Sequence, residues 1–164
     1  MLVGSPVVPS RRVRRAAFAR AGVVLAIVVG LDQLTKHTIA ASVAPGDTRK
    51  FLPLIDLVHV RNTGVAFGAL SGAGLIVLAV TLVALAALIV YFGTHASTPM
   101  LWLPVGIIAG GALGNLADRA RQGAVIDFID PVLWPAFNLA DAGIVLGILG
   151  LLYVAERPRA PTPG

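Results

Sequence analysis

Apolar and polar positions fall along this chain in long blocks, not in the short alternations of a soluble domain. From Asn62 to Ala117 there is no Asp, Glu, Lys or Arg. At about 20 residues per crossing, that block holds two membrane-spanning helices and a turn. The turn falls at Phe92-Gly-Thr-His-Ala-Ser-Thr-Pro99, the polar, breaker-rich stretch inside the block. The pattern therefore predicts one span over 67–92 and the next over 99–117. An earlier uncharged stretch, Ala21–Leu31, is too short to cross about 30 Å of hydrocarbon at roughly 1.5 Å per residue. Its helix must run on through Asp32 and Lys36, which predicts a span over 16–40. A fourth span is predicted over 138–156, with Asp141 near its start and Glu156-Arg157 at its exit. The fold class is an all-α membrane protein with four transmembrane helices, forming a single integral membrane domain over 1–164.

Two segments lie between spans on one side. The first, Ala41–Arg61, contains Leu54-Ile-Asp-Leu-Val-His-Val60, whose alternation and β-branched content read as a strand. The second, Asp118–Phe137, holds Ala124-Val-Ile-Asp-Phe-Ile-Asp130 and then a loop with Pro131, Trp134 and Pro135. Trp134 and Phe137 suit anchoring at the membrane–water interface. No internal repeat is present. The tail Pro158–Gly164, broken by Pro158, Pro161 and Pro163, is expected to fray.

Composition sharpens this picture. Hydrophobic residues make up 57% of the chain and charged ones 13%, against roughly 25% charged in soluble domains, and the mean hydropathy is +0.86. Disorder is excluded, and a soluble monomer could not hide so much apolar surface at this length. The absence of cysteine excludes disulfides, thiolate metal sites and a cysteine nucleophile. The net charge of +5 is no sign of nucleic-acid binding, because of where the charges lie. Arg11, Arg12, Arg14, Arg15 and Arg20 precede the first span, and Arg157 and Arg159 follow the last. The positive-inside rule puts the basic tails 1–15 and 157–164 in the cytoplasm. The other side then collects Lys36, Arg49, Lys50, Arg61, Arg119 and Arg121 together with all the aspartates. The basic, apolar start also fits a cleaved signal peptide over Met1–Ile39. However, Asp32-Gln-Leu-Thr-Lys36 stands where a small-x-small cleavage site belongs, which favours a retained helix.

Four polar clusters sit at the outer ends of the spans: Asp32-Gln-Leu-Thr-Lys36, Arg61-Asn-Thr-Gly-Val-Ala-Phe67, Gly110-Gly-Ala-Leu-Gly-Asn-Leu-Ala-Asp-Arg119 with Val125-Ile-Asp-Phe128, and Phe137-Asn-Leu-Ala-Asp141. An ionisable residue at a helix centre in lipid costs about 2.5–3.5 kcal/mol, less near the ends. Several at one depth point to a shared polar site. Each cluster also has a purely structural reading. Asp32 and Lys36 are an i,i+4 pair able to neutralise each other. Asn138 suits a helix N-cap with Asp141 at N3, a carboxylate variant of the capping box. Gly106, Gly110 and Gly114 form a small-xxx-small stripe for close helix packing. Arg61 and Arg119 suit lipid headgroups. These readings leave unexplained why Asn62, Asn115, Asp118, Asp127, Asn138 and Asp141 converge on one face.

The three histidines, His37, His59 and His95, form no HExxH pair, and no GxSxG or serine lies within the clusters. Aspartate is what remains plentiful. Two carboxyl groups held close share one proton, so that one serves as base to a water and the other as acid to a carbonyl. That chemistry needs no metal or cofactor, and none is expected.

Taken together, the clusters resemble those of lipoprotein signal peptidases (signal peptidase II), aspartyl peptidases of the bacterial inner membrane. The resemblance covers Leu31–Gly147 and rests on Asp-Gln-x-x-Lys, Arg-Asn-x-Gly-x-Ala-Phe, Gly-Gly-Ala-x-Gly-Asn-x-x-Asp-Arg, Val-x-Asp-Phe and Phe-Asn-x-Ala-Asp. It implies four helices, a small extracytoplasmic β-rich cradle and an active site near the outer membrane surface. It further implies cleavage of the signal peptide from a prolipoprotein, just before its diacylglyceryl-modified cysteine. By matching position, Asp127 and Asp141 become the catalytic pair. Asn62, Gly64, Asn115, Arg119 and Asn138 fall on positions that hold substrate or the aspartates, while Asp32, Lys36 and Asp118 become structural polar residues. Asp118 is the rival of Asp127 as partner to Asp141, but Arg119 beside it favours an ionised, structural role. With only a short connection between Asp127 and Asp141, the loop over the site is expected to be small. The start, Met1–Arg15, lies outside the resemblance. The expected partners are diacylglyceryl-modified prolipoproteins and membrane lipid, with no nucleic acid, and the protein is expected to act as a monomer.

Two other functions fit an aspartate-rich membrane protein. A proton-coupled transporter would carry acids near the midplane, whereas these acids cluster at one rim. A non-enzymatic scaffold would tolerate Asn at 127 and 141.

Overall fold

The computed structural model describes residues 11–64 and 73–157. The elements run α1 (Arg11–Ser42), β1 (Thr48–Leu52), β2 (Ile55–Asn62), α2 (Ala73–His95), α3 (Trp102–Gln122), β3 (Val125–Pro131) and α4 (Leu139–Glu156). The start of the expected second span (67–72), Val65-Ala-Phe67 of the second cluster, and the tail segments 1–10 and 158–164 lie outside the described residues.

Among the described residues three helices are long and apolar enough to cross a membrane: α1, α2 from Gly74, and α4. The helix α3 differs, because glycines and the polar Asn115, Asp118, Arg119 and Arg121 dilute its apolar run. It is the central helix, packed against α1, α2 and α4. Its glycines make this possible. A Cβ on Gly106 would lie 2.7 Å from the Ala21 carbonyl oxygen, and one on Gly110 would lie 2.9 Å from that of Leu25, so α1 rests directly on this stripe. A second set, which the four-residue stripe did not reveal, faces α4: a Cβ on Gly111 would lie 2.5 Å from the Ala140 carbonyl oxygen. On α4 itself, a Cβ on Gly147 would meet Ile108 at 2.5 Å. Small residues let backbones approach where lipid supplies no hydrophobic drive between helices. Apolar side chains of α2 and α4, among them Leu75, Val83, Leu146 and Leu152, stay exposed, as lipid-facing positions must.

One end of the bundle is closed by an apolar cluster of Ala17, Ala21, Phe92, Ala96, Leu101, Val105 and Val154. Arginines of the N-terminal cluster lie at this end: Arg14 donates to the Gly93 carbonyl at 2.9 Å, and Arg20 sits 5.8 Å from the Trp102 ring. At the other end the C-termini of α1 and α3 meet a three-stranded antiparallel sheet of order β1-β2-β3, and Phe137, just before α4, bridges to Ile129 of β3.

Element ends differ from the sequence reading for local reasons. Within the expected turn Phe92–Pro99 the helix persists to His95, where Thr94 Oγ1 bonds back to the Val90 and Tyr91 carbonyls. Helix α3 starts at Trp102, after Met100 takes a positive φ of 65°. It runs past 117 to Gln122, where Gly123 at φ 70° donates its N–H to the Arg119 carbonyl. The strand read over Leu54–Val60 is β2, shifted to Ile55–Asn62 because Leu54, at φ 70°, belongs to the turn after β1. Strand β1 was not foreseen: Thr48-Arg-Lys-Phe-Leu52 is exposed throughout and carries no inward-facing apolar set. Two register details place the site. Val60 pairs with Asp127, and Asn62 pairs with Val125, beyond an irregularity between Leu57 and Val60.

Candidate active site

Local structure delivers each polar side chain to the sheet end of the bundle. Asp127 comes from the middle of β3, where it is 2% exposed. Its Oδ2 accepts from Asn62 Nδ2 at 2.9 Å, and its Oδ1 accepts from Asn138 Nδ2 at 2.7 Å. Asp141 comes from the first turn of α4. The capping box anticipated there is present: Asn138 Oδ1 accepts from the Asp141 backbone N–H at 3.0 Å, and Asp141 Oδ2 accepts from the Asn138 N–H at 3.3 Å. The other oxygen, Asp141 Oδ1, accepts from Asn115 Nδ2 at 2.7 Å. Capping and convergence are thus not alternatives. The cap fixes Asp141 beside Asn138, and Asn138 reaches Asp127.

The three carboxamides have fixed orientations, because each oxygen faces a donor. Asn62 Oδ1 accepts from the Gly64 N–H at 2.8 Å, with Gly64 in a left-handed conformation at φ 83°. Asn138 Oδ1 faces the Asp141 N–H. Asn115 Oδ1 accepts from Lys36 Nζ at 2.8 Å and from Asn138 Nδ2 at 3.2 Å. Every amide nitrogen is therefore left to donate toward a carboxyl group. Lysine has donors only, so Lys36 is what forbids Asn115 to turn over.

Behind this layer lies a buried ion cluster. Lys36 Nζ lies 2.8 Å from Asp32 Oδ2 and 2.7 Å from Asp118 Oδ2, with all three side chains at most 3% exposed. The simple mutual neutralisation of Asp32 and Lys36 is corrected here, since the lysine bridges two helices. Asp32 Oδ1 also accepts the Ala140 N–H at 3.0 Å, satisfying an N–H in the first turn of α4 that has no partner within its helix. Asp118 further accepts from Gln33 Nε2 at 2.8 Å, and Gln33 Oε1 accepts from Arg121 at 2.9 Å. Asp118 is bound to Lys36 and Gln33, and among the described residues no hydrogen bond joins it to Asp141. Gln33 and Arg121 carry roles the sequence did not assign. Gln33 stood inside a recognised cluster, but its partner becomes visible only once α1 lies on α3. Arg119, for which a lipid headgroup was the alternative to a place in the site, is half-buried: its Nη1 donates to the Asn115 carbonyl oxygen at 3.5 Å, and among the described residues its buried Nε has no partner.

Burial is the main cause that raises the Asp127 carboxyl above its ordinary value, and the nearby Asp141 charge adds to this. The hydrogen bonds from Asn62 and Asn138 and the charge of Lys36 act in the opposite direction. Among the described residues no three of His, Cys, Asp and Glu lie close enough together to hold a metal ion. Two grooves flank the aspartates. One of about 530 Å³ is lined by Trp134, Phe137, Asp141, Ala142, Val145 and Leu146. The other, of about 430 Å³, holds Asn62, Thr63, Gly64 and Asp127 beside Pro135.

Fold and site together define a class: a helical membrane protein with two amide-braced carboxyl groups at the rim of its bundle, suited to acid–base hydrolysis. Comparison with known proteins makes this particular. A family model described as signal peptidase (SPase) II matches residues 24–156. A lipoprotein signal peptidase from Pelotomaculum thermopropionicum is 40% identical over 127 residues, 76% of this chain and 84% of that protein. One from Syntrophomonas wolfei is 42% identical over 127 residues, 77% and 85% of the two chains. A solved structure described as a bacterial membrane enzyme superposes with a TM-score of 0.76 at 30% identity, covering 85% of this chain and 94% of that one. The chain belongs to the signal peptidase II family and is a protease of that type.

Proposed function

We propose that this protein removes signal peptides from prolipoproteins by cutting before the diacylglyceryl-modified cysteine, with Asp127 and Asp141 as its catalytic pair. The observation that carries this reading is Asn138, which bonds both aspartates at once and holds them as one unit. Asp127, whose carboxyl is raised by burial, keeps the shared proton, and the less buried Asp141 acts as base. Asp141 takes a proton from water as the water oxygen bonds to the scissile carbonyl carbon. Asp127 gives its proton to the carbonyl oxygen, forming a neutral diol. The diol returns a proton to Asp127, Asp141 protonates the leaving nitrogen, and the C–N bond breaks.

All four helices cross the bilayer in this proposal, over the domain plan set out from the sequence. The basic tails face the cytoplasm and the site faces the outer surface. The placement of Arg11–Arg20 at the end opposite the aspartates supports this orientation. The substrate arrives sideways from lipid as an apolar helix. Its cleavage segment must unwind, since helical hydrogen bonds shield the carbonyl. The apolar groove beside α4 suits the membrane-embedded part, and the polar groove at Asn62 and Gly64 suits an unwound backbone. Arg119 has donors for a peptide carbonyl. The test is to incubate the purified protein with a lipidated precursor and weigh the products. A mass matching a cut before the modified cysteine is expected; an uncut precursor with wild-type protein, or a cut elsewhere, refutes the reading.

A further inference from the structure

A second polar cavity, which neither Asp127 nor Asp141 lines, lies between the C-terminal parts of α1 and α3 and the strands β2 and β3. It measures about 280 Å³, and its lining includes Gln33, His37, His59, Arg61, Arg121 and Gln122. At roughly 30 Å³ per water it holds about nine waters, the scale of a headgroup and not of a peptide. Lys36 and Asp118 also touch it, but they are paired with each other at 2.7 Å. What remains at the mouth is cationic. Arg121 donates to Gln33 and Arg61 donates to Gln122, bonds that steady each guanidinium and leave further N–H donors to offer.

His59 adds a second, independent demand. It is 6% exposed, and its Nδ1 lies 2.9 Å from the Val43 carbonyl oxygen, which can only accept. Nδ1 therefore carries a proton, and in the neutral ring Nε2 is an acceptor. That Nε2 is buried and, among the described residues, has no partner. A ligand completing the cavity must offer an anion to the arginines and an O–H to the histidine.

We propose that this cavity binds a phosphate ester that also carries a free hydroxyl, of the glycerol phosphate kind. A phospholipid headgroup and a soluble phosphate ester share this chemistry. The cavity sits at the sheet end of α1 and α3, the rim where the membrane surface falls if these helices cross the bilayer as proposed. The binding itself does not depend on the peptidase reading, because the test reads occupancy and not cleavage.

The experiment uses the full chain in a zwitterionic detergent, with its histidines labelled with ¹⁵N. It is titrated separately with short-chain phosphatidylglycerol, short-chain phosphatidylcholine, glycerol 3-phosphate and inorganic phosphate. The expected result is a saturable shift of the His59 Nε2 resonance with phosphatidylglycerol or glycerol phosphate, and none with phosphatidylcholine, whose headgroup has no hydroxyl. A shift with the lipid alone assigns the site to a membrane headgroup, and an equal shift with glycerol 3-phosphate assigns it to a solute. Arg121→Gln should weaken the binding about tenfold or more, as loss of a charge-assisted bond implies, while Arg157→Gln at the far end should not. No shift with any probe, an equal shift with phosphatidylcholine or with inorganic phosphate, or unchanged affinity in a folded Arg121→Gln protein would overturn the proposal.

Discussion

Asp127 has both carboxyl oxygens engaged by amide nitrogens and lies almost wholly out of solvent. Replacing it by Asn changes little in shape but removes the proton that the proposed mechanism moves. Asp127→Asn and Asp141→Asn are each expected to lower cleavage by on the order of a thousandfold or more, since paired groups fail together. Circular dichroism should show the helices intact. Near-normal turnover in either folded variant would refute the assignment. The pH dependence has a definite sign. The Asp127 carboxyl is raised above its ordinary value of 3.8, so its proton is held at low pH and lost as pH rises through the raised value. Cleavage should accordingly fall on the alkaline side as that proton leaves. The ionised form is also the one that burial disfavours. The melting temperature of Asp127→Asn relative to wild type should therefore climb as pH rises above about 4 and level off once Asp127 is fully ionised. A difference that falls with rising pH would mean the carboxyl is lowered instead. Arg119→Ala is expected to reduce efficiency roughly ten- to a hundredfold, the loss of one hydrogen bond to a carbonyl worth about 1–3 kcal/mol, with unchanged folding.

Helices and strands show what a single sequence can and cannot convey. Apolar blocks made the four helices legible, and the glycine stripe announced a close helix contact without saying with which helix; the structure gives it to α1. Gly111 and Gly147 escaped notice because they act across a helix pair with no shared spacing. Strand β1 was invisible because it is stabilised by pairing with β2 and not by a buried face. At the site, the residue types were legible but the direction of each amide was not. That direction depends on Lys36, which reaches Asn115 from another helix. Two outcomes follow at this scale. A Cβ on Gly114 would lie 2.5 Å from Asp32 Oδ2, so Gly114→Ala must displace the Asp32 carboxylate from its places on Lys36 and the Ala140 N–H. A cost of about 1–3 kcal/mol is expected, read as a lower melting temperature in detergent, with a further loss of activity as Lys36 is displaced. Lys36→Met leaves Asp32 and Asp118 buried without their cation and should cost about 3–5 kcal/mol. Adding Asp32→Asn and Asp118→Asn should restore much of that stability. If the triple variant is no more stable than the single one, charge is not what the cluster balances.

The molecule as a whole separates its chemistry from its anchoring. Arg14, Arg20 and an apolar plug occupy one end, and the polar network and sheet occupy the other. If the attached lipid sets the depth of the scissile bond, a lipidated precursor should be cleaved far faster than its unlipidated counterpart in the same bilayer. Equal rates would mean that the lipid does not position the bond. A tag placed before Arg11 should be shielded from an impermeant reagent in intact cells, and exposure there would invert the proposed orientation.

The capping box of α4 has one more implication. Asn138 and Asp141 become neighbours in the required geometry only when the helix they start has wound and settled against α1, where Asp32 receives the Ala140 N–H. Until then the chain carries both aspartates but no site. On the proposed assignment, a half-inserted molecule is harmless to the proteins around it, and α4, made after the other three helices, is also the switch that arms the enzyme.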